Sequence, residues 1–128
     1  MIIVDTNSFD IAITRGDTAT IVFSAKDEGG NTYVPVLGDS LKFSVAKKWG
    51  ADPLFTIENV MAADANAFWS IVIDDTAWET AREAFGGDMK FGDYVYDVQL
   101  TTSTKTETII GKTDELSPRF RVWGEVSE

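Results

Sequence analysis

The sequence predicts an all-β domain: an immunoglobulin-like antiparallel β-sandwich of seven to eight strands with one short helix over about residues 75–85. Three observations predict it. Apolar and polar residues alternate with period two along almost the whole chain, the pattern of strands that bury one face. Turn-forming residues cut that alternation into short runs. A single stretch has helical spacing, so the strand–helix–strand rhythm of a parallel α/β sheet is missing. The 128 residues fit one domain spanning 1–128, and the 44% that are hydrophobic are enough to build its core without staples.

Taken in order, Ile11 and Ile13 share a face before the turn-like Arg15-Gly16-Asp17. Ala19, Ile21, Phe23 and Ala25 then face one way, with Thr18, Thr20, Ser24 and Lys26 facing the other. Asp27 to Asn31 has loop composition, and Pro35 cannot donate to a continuing ladder. Leu41, Phe43 and Val45 form the next buried row, closed by Lys47-Lys48-Trp49-Gly50. A short edge strand is expected over Leu54 to Ile57, and a loop over Met61 to Asn66.

Trp69, Ile71 and Ile73 make another buried row, alternating with Phe68, Ser70 and Val72. From Asp75 to Phe85 the period changes: Trp78, Ala81, Arg82 and Phe85 fall at helical spacing, Asp74 or Asp75 can cap the amino end, and Gly86-Gly87 stops the helix. That helix is expected to cover an open end of the sandwich with Trp78 and Phe85. Tyr94, Tyr96, Val98 and Leu100 line the inner face of the clearest strand, expected to be central. The polar turn 101–104 leads into a return strand over Lys105 to Gly111. A final strand, Arg119 to Val126, turns Phe120, Val122 and Val126 inward and Arg119, Arg121 and Trp123 outward.

Composition narrows the chemistry. The chain has no cysteine and no histidine, so disulfides, thiolate sites and the usual neutral-pH general base are excluded, which argues against an enzyme. A net charge of −10 repels phosphate backbones and anionic lipid, so neither nucleic acid nor membrane is an expected partner. The start, Met1 to Asp5, has no basic n-region and too short an apolar run for a signal peptide or a membrane span.

Individual motifs read as structure before function. Arg15-Gly16-Asp17 matches an integrin-binding tripeptide, but glycine and aspartate between two strands are ordinary turn chemistry. Asp74-Asp75, Asp88 with Asp93, and Asp114-Glu115 lack the spacing of a calcium loop and read as solvated surface in so acidic a chain. Glu79 and Glu83 share a helix face as a solvent-facing pair, with no sugar cleft around them. Neither glycine pair opens a helix as a phosphate cradle would, so no cofactor or metal is expected. Of the four tryptophans, Trp69 and Trp78 fit the core, while Trp49 and Trp123 are expected outside. With Arg119 and Arg121 these two form the candidate interface.

The segments Thr14-Arg15-Gly16-Asp17-Thr18, Asp75-Thr76, Gly92 to Leu100 and Thr108 to Gly111 together resemble small phage and prophage structural domains. They are similar to the amino-terminal immunoglobulin-like domain of the phage baseplate upper protein family. In that family an R-G-D-T stretch opens a strand, a D-T pair ends one, and a G-x-Y-x-Y-D-V-x-L strand precedes a hairpin. The helical insert from Ala77 to Asp88 departs from the pattern. The resemblance implies a non-enzymatic tail or baseplate component, made in the bacterial cytoplasm and carried in the virion. Such a component docks to copies of itself or to neighbouring subunits. A carbohydrate-binding or adhesion module using exposed aromatics is the alternative expectation.

Overall fold

A computed structural model describes residues 2–4, 9–24, 29, 31–61, 69–111 and 118–124, and these are mostly strand with one helix. The elements are β1 (Ile2–Val4), β2 (Ile11–Thr14), β3 (Ala19–Phe23), β4 (Ser40–Ala46), β5 (Pro53–Val60), β6 (Trp69–Ile73), α1 (Asp75–Phe85), β7 (Gly92–Thr101), β8 (Thr106–Ile110) and β9 (Arg119–Trp123). The chain is therefore an all-β protein carrying a single short helix among the described residues. Ala25, Lys26, Phe68, Val126 and, apart from Met61, the expected loop to Asn66 lie outside the described residues.

Two features correct the sequence expectation. Nine strands are described where seven or eight were expected, and the pairing is mixed rather than wholly antiparallel. The extra strand, Ile2-Ile3-Val4, is continuously apolar, so no alternation betrays it. The parallel pair is β2 with β9, Ile11 opposite Phe120 and Thr14 opposite Trp123. Side-chain alternation reports which face is buried and not which way a neighbour runs. A parallel neighbour needs only a long connection, and most of the chain intervenes here.

The large sheet runs β1-β2-β9-β7-β4-β5. Strand β7 is central, as its long alternation predicts. One edge pairs with β4 along Val95–Thr101, and the other is shared. Gly92–Val95 takes β9, and Val98–Thr101 takes β8 across a bulge between Val98 and Gln99. A separate antiparallel ribbon pairs β3 with β6, Ile21 opposite Ile71.

The alternating rows meet in one cluster that holds Ile11, Ile13, Ile21, Phe23, Leu41, Phe43, Val45, Trp69, Ile71, Ile73, Tyr94, Tyr96, Val98, Leu100, Phe120 and Val122. Phe43 is its hinge-pin. Its ring centroid lies 5.3 Å from Tyr96 and 6.1 Å from Phe120 in its own sheet, and 6.1 Å from Phe23 in the ribbon. Each large side chain so buried contributes about 1.5–3 kcal/mol relative to exposure.

Strand β5 is an edge, as expected, but runs from Pro53 to Val60 rather than from Leu54 to Ile57. A register shift opposite Val45/Ala46 inserts Leu54, so Leu54 and Phe55 are both buried and the alternation is locally broken. Helix α1 begins where the sequence places it. Asp74 caps it, accepting from the Ala77 amide at 3.2 Å, and Gly86 ends it in the left-handed region at φ 84°. Ala77 and Ala81 are its buried residues, while Trp78 and Phe85 pack half-buried against the core. The Trp78 ring lies 6.4 Å from Phe55 and 6.5 Å from Phe120, and its Nε1 donates to the Asp17 carbonyl at 2.8 Å. Among the described residues, no helix is long and apolar enough to cross a membrane.

Candidate interaction face

Strand β9 has two unlike faces because its residues alternate across the sheet. Phe120 and Val122 are buried, while Arg119, Arg121 and Trp123 point away from the core. Register fixes their neighbours: Arg121 lies between Asp93 of β7 and Ala12 of β2, Arg119 opposite Val95, and Trp123 opposite Thr14.

Asp10, one residue before β2, accepts the Arg119 amide at 3.0 Å, and its other oxygen lies 3.7 Å from Arg121 Nη2. Asp93 lies 3.5 Å from Arg119 Nη1 and 3.3 Å from Arg121 Nε. Two arginines and two aspartates thus interleave into a locally neutral ladder. Its members are part exposed, so it contributes little stability and mainly orients the guanidinium groups.

Beyond that ladder the surface turns apolar. Trp123 is 38% exposed and Phe91 56%, and with Gly92, Asp93, Arg121, Val122 and Gly124 they border an open groove. Gly124 permits this arrangement, since a Cβ there would approach the Phe91 ring to 2.9 Å. Arg15 lies over the ring, its guanidinium carbon 4.5 Å from the centroid. The same arginine donates Nη1 to the Met89 carbonyl at 3.1 Å, and its amide donates to the Trp123 carbonyl at 3.0 Å. Arg15-Gly16-Asp17 is accordingly a tight turn, with Gly16 at φ 87° and Asp17 N–H donating to Thr14. Its arginine braces Phe91.

Trp49 is half-buried on the turn after β4. It borders a small cleft with the outward-facing Ser44, Ala46, Val95 and Asp97. Val95 therefore touches the Trp49 cleft on one side and pairs with Arg119 on the other. All four sequence-predicted interface residues lie on the outer side of the large sheet, but Trp49 and Trp123 belong to separate depressions that share no lining residue. In the cleft, burial pushes the Asp97 carboxyl above its ordinary value and Lys42 partly offsets that.

Sequence reasoning missed Phe91, Arg15, Asp10 and Asp93 as parts of this face. Phe91 falls in a connection with no periodicity to assign it, and the others are joined to β9 only by long-range pairing. Asp74 caps the helix, Asp88 lies 3.9 Å from Arg82, and Glu79 and Glu83 are exposed; Asp114 and Glu115 lie outside the described residues. Among the described residues, no three acidic side chains converge as a metal site would require. In comparisons with known proteins, no family model and no curated sequence matches this chain.

Proposed function

We propose that this chain is a non-enzymatic, immunoglobulin-like structural domain of phage or prophage tail or baseplate type, docking to neighbouring subunits through the outer face of its large sheet. The observation that carries the docking reading is the exposed Phe91–Trp123 pair framed by Arg15, Arg119, Arg121, Asp10 and Asp93. An aromatic centre with an arginine-rich polar rim is the composition of a protein interface. Oriented guanidinium groups already paired at home need little reordering when a partner arrives.

The immunoglobulin-like reading is supported by strand order. The run β9-β7-β4-β5 corresponds to G-F-C-C′ of such domains, and the β3–β6 ribbon to B-E. Tyr94, near the start of β7, donates its hydroxyl back to the Lys90 carbonyl at 2.8 Å, the arrangement of a tyrosine corner. Tyr96, two residues on, takes the buried place where antibody domains carry a cysteine. The phage assignment rests on the likeness of residues 14–18, 75–76 and 92–100. The lack of histidine and cysteine supports the non-enzymatic reading.

Co-purification with the products of adjacent genes tests the proposal. Association with a tail or baseplate protein that is lost in Trp123→Asp and Phe91→Asp, both retaining wild-type melting, is the expected result. No association with any adjacent product overturns it. Glycan-array binding abolished by Trp49→Ala or Trp123→Ala would instead favour a carbohydrate-binding module.

A further inference from the structure

The strands of the β3–β6 ribbon, like β1 and β2, carry no charge, and they form a sheet of their own. Ala19–Phe23 and Trp69–Ile73 contain no charged residue, although a quarter of the chain is charged. Ile21, Phe23, Trp69, Ile71 and Ile73 are buried, while Thr20 and Ser70 face outward with Val22 and Val72, which are 57% and 43% exposed. Among the described residues β3 pairs with β6 alone, so the backbone groups of its second edge point away from the ladder.

Other edges in the molecule carry devices that block strand addition. Strand β1 is three residues long. Strand β5 opens on Pro53, is offset by a bulge, carries Glu58, and is tied to β6 by Asn59 Nδ2 donating to the Ser70 carbonyl at 2.7 Å. The β8 hairpin is flanked by the Lys105–Glu107 ion pair. Strand β3 has no lysine, proline or bulge and keeps an unbroken register.

We propose that β3 is a self-docking edge on which a second copy of this chain lays its own β3 antiparallel, across a two-fold axis at Ile21. The result is a continuous β6-β3-β3-β6 sheet. Three considerations select a second copy. Edge amides and carbonyls that no described strand pairs are matched in number and spacing by another extended strand. Two molecules each carrying −10 repel, and a ribbon free of charge lets them approach at low cost. The five-residue strand is also self-complementary about its centre. Ala19 meets Phe23 of the second copy, Thr20 meets Val22, and Ile21 meets Ile21, so buried rows stay buried and outward rows stay outward. The exposed Val22 and Val72 of both copies then share one outer surface. This surface is on the other sheet from the β9 face, so the inference stands or falls independently of the docking partner proposed there.

Sedimentation equilibrium over a concentration series tests the stoichiometry, and engineered thiols test the register in a chain with no native cysteine. Directly opposed residues lie within disulfide reach, whereas Val22 and Val22 of the second copy are offset by two residues and fall beyond it. An equimolar mixture of Thr20→Cys and Val22→Cys proteins should therefore oxidise to the mixed dimer, with either protein alone giving little product. Val22→Lys should weaken self-association by about tenfold or more, with Thr20→Lys as a second variant should it fold poorly. A strictly monomeric protein at high concentration, or a predominance of Val22–Val22 cross-links, overturns the proposal.

Discussion

The two faces of the β7–β9 pair share one backbone and differ in what holds them. Inward, Tyr94, Tyr96, Phe120 and Val122 are removed from water, with Tyr96 and Phe120 both against Phe43; outward, Asp93, Val95, Arg119, Arg121 and Trp123 lie on the part-exposed side. The inner row contributes through area and packing, both of which collapse when one ring is removed. The outer row contributes through position, since its ion pairs are part exposed and weak. A large aromatic on the outer row adds little to folding by comparison, and it is on this residue that the docking proposal rests.

The contrast breaks if the faces tolerate substitution equally. Phe43→Ala should cost about 3–5 kcal/mol in urea unfolding, because Phe43 is wholly buried and contacts Phe23, Phe55, Tyr96 and Phe120. Trp123→Ala, which also deletes an aromatic ring, should cost no more than about 1 kcal/mol. Comparable losses would mean that the outer row is part of the core.

Tyr96 sharpens the comparison, since it belongs to the inner row yet carries a polar group. Its hydroxyl donates to the Phe9 carbonyl, and burial pushes its pKa far above the ordinary tyrosine value. Burial also raises Tyr94, and the Asp39 carboxylate raises Tyr33. An unfolded tyrosine ionises near pH 10. Above that, the unfolded chain releases protons that the folded chain retains, so the tyrosines' contribution to stability is constant below about pH 10 and is lost as pH rises further. Tyr96→Phe should cost about 1 kcal/mol at neutral pH through the lost hydrogen bond, and should make the alkaline fall shallower. A pH–urea series on both proteins reads the two effects, and an unchanged alkaline slope would contradict the assignment.

How much of this was legible beforehand follows the same division. The inner rows of β4, β6 and β7 announce themselves through period two, and α1 through its spacing, its Asp74 cap and its glycine stop. Burial is a local property of a strand and so leaves a local trace. What the sequence conceals is relational: the parallel run of β2 beside β9, the sharing of one β7 edge by β8 and β9, and the bulge that buries Leu54 and Phe55 together. On the candidate face, Arg119, Arg121 and Trp123 could be read from alternation. Asp10, Arg15 and Phe91 could not, because each reaches the face through a contact distant in sequence.

The smallest expected effect concerns Arg121, and it tests the claim that the outer ladder positions rather than stabilises. Arg121 Nε lies 3.3 Å from Asp93 but without hydrogen-bonding geometry, and Nη2 lies 3.7 Å from Asp10, so each contact is electrostatic more than directional. Asp93 retains Arg119 at 3.5 Å, and Asp10 retains the Arg119 amide, so removing one guanidinium strands neither carboxylate. Arg121→Ala should therefore shift unfolding by no more than about 0.5–1 kcal/mol. Raising the salt to about 1 M should erase most of the difference, because screening shortens the reach of part-exposed charges. Association with the proposed docking partner should fall far more than stability does, since Arg121 lines the groove with Asp93 and Trp123. A stability loss of several kcal/mol that persists at high salt would make the ladder structural, and the aromatic pair beside it would then need a different explanation.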